Sequence, residues 1–249
     1  MNIPRILTIA GSDSGGGAGI QADIKTITML GGYAMSAITA ITAQNTLGVS
    51  MIEVLSPEMV AAQIEACASD IGVNAVKIGM LGSAANAHVV ADLLEHAGIP
   101  VVFDPVMIAT SGAALADAET IVAFERLMRL ATLTTPNLPE LEVLGGEANV
   151  LGKTLNLLIK GGHGEGDRII DRLVSKDGEL ARWDDARIDT RHTHGTGCTL
   201  ASAIAAGLGE GMSLKDAITR ARLFVRSALI AAPGFGAGHG PMGHAQAQV

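Results

Sequence analysis

The chain predicts an α/β fold, a three-layer α/β/α sandwich around a mainly parallel central sheet, in one domain over residues 1–249. Three observations lead there. Short apolar runs alternate with segments of helical periodicity along nearly the whole length. Repeated strand–helix units with right-handed crossovers cover a parallel sheet on both faces. No Pro/Gly/Ser linker or charge run divides the 249 residues, and no inserted segment offers a separate lid. Hydrophobic residues make up 48% and charged residues 17%, which supplies a large core and excludes disorder.

The first unit is the strand Ile6–Ala10, which ends at a Ser/Gly-rich turn, followed by a helix over Ala18–Leu30 with Ile20, Ile24, Ile27 and Leu30 at helical spacing. Ala34–Ile41 and Val49–Leu55 read as strands. Ser56-Pro57-Glu58 opens a helix, with Ser as the cap and Pro at its first position. The alternation continues through a strand at Ala75–Ile78, a helix at Ser83–Ala97, a strand at Val101–Phe103 and a helix at Ala118–Leu130. A strand at Leu133–Thr135, a helix at Pro139–Leu144 and a strand at Leu155–Ile159 follow. Ile169–Val174 and Glu179–Trp183 read as strands, and Thr199–Leu208 and Leu214–Ala231 as closing helices. Ligands of such sheets bind at the C-terminal strand ends.

A formal charge of −8 and only six Phe, Trp and Tyr residues argue against a nucleic-acid partner. Two cysteines, Cys67 and Cys198, are too few for a disulfide framework and suit a reducing compartment. The N-terminus lacks a signal-peptide pattern, and apolar segments are interrupted well short of the roughly 20 residues a membrane span needs. The expectation is a cytoplasmic protein with no membrane partner.

His192-Thr193-His194-Gly195-Thr196-Gly197-Cys198 precedes a run of small residues. Its glycines let the backbone expose successive N–H groups, and the following helix points its positive end at the same place, an anion hole. Spacing alone leaves open an ordinary glycine-containing helix start. Zinc on His192, His194 and Cys198 lacks an evident fourth ligand. Ser12–Gly19 is a second glycine-rich strand-to-helix loop; its spacing is not the dinucleotide-binding G-x-G-x-x-G, and the chain has no G-x-x-x-x-G-K-[ST] segment. Lys160 closes one strand, Asp104 follows another, and Asn137 and Glu140 follow a third with oxygen ligands of the kind Mg²⁺ accepts. Each has a bland reading as a strand end or loop cap; their convergence on one edge favours a site.

Taken in order, Ala10–Asp13, Gly15–Asp23, Ala43–Thr46, Lys77–Met80, Asp104–Met107, Thr135–Glu140, Lys160–His163 and His194–Cys198 resemble the hydroxymethylpyrimidine and phosphomethylpyrimidine kinases of the ribokinase superfamily, over nearly the whole chain. The resemblance implies ATP- and Mg²⁺-dependent phosphorylation of 4-amino-5-hydroxymethyl-2-methylpyrimidine and then of its monophosphate, in thiamine diphosphate biosynthesis, by a homodimer. It implies that Gln44 bonds the aminopyrimidine, with Gly11, Asp23, Met80 and Val106 around the ring. Lys160 and Asp104 become phosphate-side contacts, Asn137 and Glu140 lie near the metal, and Gly195, Thr196, Gly197 and Cys198 carry the transfer. Cys198, a helix-start thiol, is expected to have a lowered pKa and to serve as base for the first transfer more than the second; packing at the helix start is the alternative. Two departures stand out: only 19 residues separate Glu140 from Lys160, so an outer helix is missing or shortened, and Ala237 stands where relatives often have Lys. The rival readings are a pyridoxal or pyridoxine kinase of the same fold and a non-catalytic pyrimidine-binding protein.

Overall fold

The structure, a computed structural model, describes residues 3–108, 112, 114–164 and 166–248. In chain order the elements are β1 (Arg5–Asp13), α1 (Gly19–Met29), β2 (Tyr33–Gln44), β3 (Val49–Val54), α2 (Pro57–Asp70), β4 (Ala75–Ile78), α3 (Ala84–Leu94), β5 (Val101–Phe103) and α4 (Ala118–Leu130). There follow β6 (Leu133–Thr134), α5 (Leu138–Val143), α6 (Gly146–Leu151), β7 (Asn156–Ile159), β8 (Arg168–Ser175), β9 (Gly178–Ala186), α7 (Thr196–Gly209) and α8 (Leu214–Ile230). Predicted caps hold where side chains supply them: the Ser56 hydroxyl accepts the Met59 N–H at 3.3 Å, and Pro57 begins α2.

Among the described residues nine strands join one sheet in the order β3-β2-β1-β4-β5-β6-β7-β8-β9. The pairings from β2 to β7 are parallel, and β3 and β8 run against them. Side chains alternate between faces along a strand, so neighbours in sequence enter different cores. Leu7, Ile9, Val76, Ile78 and Phe103 pack with α2, α3 and α4 on one face. Ile6, Ala75, Val102, Leu133 and Leu158 pack with α7 and α8, joined by Ile27 of α1, on the other. The predicted three layers with a mainly parallel sheet are therefore present.

Boundaries differ where glycine governs. Gly195, at φ 85°, caps α7, so Thr196, Gly197 and Cys198 form its first turn, three residues earlier than expected. The shortened segment before Lys160 is ordered as α6, a helix of 6 residues whose cap, Gly145, and first residue, Gly146, are both at positive φ. β1 extends through a bulge at Gly11 to Asp13, a common device for re-aiming a strand end at a site.

Candidate active site

The C-terminal ends of β1, β4, β5, β6 and β7, together with the start of α7, enclose a cavity of about 1000 Å³. Gly11, Gln44, Met80, Val106, Asp104, Asn137, Glu140, Lys160 and the Gly195–Cys198 turn all line it. Among the expected site residues only Asp23 does not. The bulge residue Gly11 leaves the space that Met80 fills, since a Cβ there would stand 3.0 Å from its sulfur.

Asp13 organises the glycine-rich loop after β1. Its Oδ1 accepts the Gly15 N–H at 2.8 Å, and Oδ2 accepts those of Gly17 and Ala18, each at 2.9 Å. His194 Nε2 lies 2.8 Å from the same Oδ2. Burial pushes the Asp13 carboxyl up, but His194 and the Ala18 and Gly15 amides outweigh it and hold the group below its ordinary value. Asp13 is thus ionised at neutral pH, and His194 Nε2 carries the hydrogen between them. The Gln44 amide nitrogen lies 3.4 Å from that ring nitrogen, and its oxygen 3.1 Å from Thr42 Oγ1. Both loops meet without room to spare: a Cβ on Gly195 would stand 1.9 Å from the Gly17 carbonyl oxygen.

Across the cavity Lys160 donates to Asp104 at 2.6 Å, and Thr135 donates to the same Asp104 oxygen at 2.9 Å. Burial lowers the Lys160 pKa, but Asp104 and Glu140 overcome it and leave the ammonium above its ordinary value. Gly197, at the first turn of α7, faces this pair: its Cβ would lie 3.4 Å from both Lys160 Nζ and Asp104 Oδ2. A helix N-terminus and a lysine therefore converge on one spot, an arrangement suited to phosphate.

Two expectations need correction. Asp23 is fully buried beneath the cavity, where Lys77 donates to its Oδ2 at 2.8 Å and Ser202 to its Oδ1 at 2.6 Å, with Thr8 as a third donor. Its carboxylate is occupied inside the protein and does not flank a ring in the cavity. Cys198 does line the cavity, but burial pushes its thiol up to about 11; the Lys77 charge and the Gly19 N–H oppose this, and Asp23 and Asp104 reinforce it. The expected lowering by the helix start is outweighed by desolvation, so the thiol is shifted up instead of down.

The family model for phosphomethylpyrimidine kinase matches residues 13–243. The chain belongs to that family. Among curated relatives, the hydroxymethylpyrimidine/phosphomethylpyrimidine kinase of Rhizobium meliloti is 45% identical over 256 residues, covering 96% of each chain. The thiamine biosynthesis bifunctional protein ThiED of Geobacter sulfurreducens is 47% identical; the match covers 96% of this chain and 52% of that one. Among solved structures, the phosphomethylpyrimidine kinase of Clostridium difficile is 38% identical with a TM-score of 0.77, over 90% of this chain and 99% of that one. An ADP complex of Bacillus subtilis pyridoxal kinase superposes with a TM-score of 0.89 over 98% of both chains, at 30% identity. The fold is the ribokinase-like one.

In this phosphomethylpyrimidine kinase family member, Asn137 and Glu140 form a capping box at the start of α5: Asn137 Oδ1 accepts the Glu140 N–H at 2.9 Å, and Glu140 Oε2 accepts the Asn137 N–H at 2.8 Å. Burial pushes the Glu140 carboxyl up to about 7; Lys160 opposes this and Asp104 adds to it. A cation beside Glu140 and Asp104 relieves that cost, so the site fits Mg²⁺. Among the described residues no group of three or more His, Cys, Asp or Glu forms a metal cage. The protein thus offers one or two carboxylates, with phosphate and water left to complete the shell, which is how Mg²⁺ is usually held. Sequence reasoning missed Asp13 and His194 as a pair, because 181 positions separate them and only the fold brings them together.

Proposed function

We propose that the chain transfers the γ-phosphoryl group of ATP to the hydroxymethyl oxygen of 4-amino-5-hydroxymethyl-2-methylpyrimidine, and then phosphorylates the monophosphate to the diphosphate. The observation that carries this reading is Gly197 facing Lys160 and Asp104 across one end of a cavity whose other end holds Gln44, Gly11 and Met80. One end suits a polyphosphate and the other a small polar ring, for which the Gln44 amide supplies a donor and an acceptor.

In the first transfer the substrate oxygen bonds the γ-phosphorus, the bond to the β–γ bridging oxygen breaks, ADP leaves and the hydroxyl proton passes to solvent. In the second, an ionised phosphate oxygen attacks and no proton need be removed. Phosphoryl transfer passes through a loose transition state, so positioning and charge stabilisation dominate over a strong base, in keeping with a Cys198 that stays protonated. Mg²⁺ held near Glu140 and Asp104 would neutralise charge on the phosphate oxygens. Lys160 and the N–H groups of the first turn of α7 orient the transferred group, with Thr196 and Gly195 shaping that turn.

Residues 1–249 act as one catalytic unit. Ile41, Leu47, Met51 and Val54 on the β2–β3 edge, with Met59 of α2, are exposed apolar side chains, and support a homodimer through that edge. No described helix is long and apolar enough to cross a membrane; with the two free thiols, the reading places the enzyme in the cytoplasm. The test is ADP release from MgATP with hydroxymethylpyrimidine, its monophosphate and pyridoxal offered in turn, products being identified by mass. Turnover of both pyrimidines supports the assignment. Preference for pyridoxal moves the substrate within the fold, and binding without turnover refutes the kinase.

A further inference from the structure

The segment after Lys160 contains Gly161, Gly162, Gly164 and Gly166. Glycine loses more conformational freedom on folding than any other residue, so such a stretch keeps one shape only when other groups hold it. Two side chains from outside it do so. Arg187, just beyond β9, donates from Nη1 to the Gly162 carbonyl at 2.8 Å, from Nη2 to that of Gly164 at 2.7 Å and from Nε to that of Gly166 at 2.9 Å. All three guanidinium nitrogens are thus spent on alternate carbonyls of one loop. Its own backbone N–H donates to the Asp167 carbonyl at 2.7 Å.

At the other end Asp171 of β8 accepts the Gly161 N–H at 2.7 Å, immediately after Lys160, and its second oxygen is paired with Arg222 of α8. Gly161 is pressed so closely on β8 that a Cβ would stand 2.1 Å from the Ile170 carbonyl oxygen. Arg187, Asp171, Gly162 and Lys160 all line the cavity. A cation bonded to three carbonyl oxygens also keeps those negative ends from opposing an incoming anion.

We propose that Arg187 and Asp171 are positioning residues for the nucleotide: a two-point clamp that fixes the glycine loop and, through Gly161, the direction in which Lys160 leaves β7. This rests on the kinase reading and names residues that sequence reasoning did not single out. Neither side chain belongs to the Gln44 end of the cavity, so the clamp acts on ATP and not on the pyrimidine. Removing it frees a glycine-rich loop that ATP must then order as it binds, which raises KM for MgATP selectively.

Steady-state kinetics on Arg187→Ala, Arg187→Lys, Asp171→Leu and Asp171→Asn, beside the wild type, test it. Arg187→Ala is expected to raise KM for MgATP about tenfold or more and to leave KM for the pyrimidine within about twofold, with partial recovery on adding guanidinium at low millimolar concentration. Arg187→Lys, which keeps the charge but donates to fewer carbonyls, gives an intermediate shift and serves if the Ala variant does not fold. Asp171→Asn retains an acceptor for Gly161 and shifts less than Asp171→Leu. An unchanged KM for MgATP in Arg187→Ala, or a parallel rise in both KM values, overturns the clamp. If the wild type itself turns over no substrate, the kinase reading has failed instead; calorimetric ADP affinity then judges the clamp alone, and an unchanged value in Arg187→Ala refutes it.

Discussion

Replacing His244 by Gln isolates the contribution of one proton to stability. The ring is 3% exposed, lies 6.4 Å from the Phe224 ring and sits with Nε2 2.9 Å from Thr199 Oγ1, so it ties the C-terminal segment to the first turns of α7. A bond to the Met242 backbone favours the charged form, but burial first, and Lys25 second, push its pKa down from 6.5 to about 4. The folded ring therefore stays neutral where the unfolded ring takes up a proton. Stability from this group is complete above pH 6.5 and is lost as pH falls towards 4. A gap of about 2.5 units corresponds to about 3 kcal/mol. Urea unfolding from pH 7.5 to 4.5, followed by the fluorescence of Trp183, measures it. The wild type is expected to lose about 2.5 kcal/mol more than His244→Gln over that interval. Parallel pH dependences in the two proteins would show that His244 does not cause the loss, because every other titrating group is common to both.

Glu140 has the opposite sign in an overlapping window. Burial raises its pKa from 4.5 to about 7, so in metal-free buffer it withdraws stability as pH rises between those values; Glu140→Gln should remove that slope in the same titration with chelator present. With its thiol near 11 instead of 9.0, Cys198 should react with iodoacetamide at pH 8 about 100-fold more slowly than an unperturbed thiol; peptide mass analysis showing equal labelling of native and unfolded protein would contradict this. Lys77→Met strands the buried Asp23 carboxylate and should cost about 3–5 kcal/mol, a fall of roughly 6–20 °C in Tm by calorimetry. Adding Asp23→Asn should restore much of it, and a double variant no more stable than the single one would show that the ion pair is not the cause.

Element order was legible because apolar period and glycine punctuation are local properties, and each predicted strand and helix formed. Gly195 was legible as a turn glycine ahead of a helix, although α7 starts at Thr196 and so takes in the three residues that had been left in the turn. What failed required knowledge of neighbours. Asp23 looked like a ring contact because its place on α1 does not reveal that Lys77 of β4 and Ser202 of α7 enclose it. The Cys198 thiolate followed from the helix end, which is visible in sequence, while the burial that overrules it is not. The 19-residue spacing between Glu140 and Lys160 pointed to a missing or shortened outer helix, and a short one is present: α6 forms over Gly146–Leu151, entered through Gly145 and Gly146 at positive φ.

The division of the two hydrophobic layers along the chain bears on how the protein is made. The face formed by Ile6, Ala75, Val102, Leu133 and Leu158 is covered mainly by α7 and α8, which follow the last strand, ending at Ala186, and run to Ile230. At about 5–20 residues per second, a nascent chain whose strands are already complete carries a largely bare apolar sheet face for roughly 2–9 s before its cover is synthesised. His194, which completes the Asp13 loop, is also made only then. Premature termination before α7 therefore yields more than an inactive fragment: it releases a sheet with one sticky side, the form of this chain most in need of a chaperone.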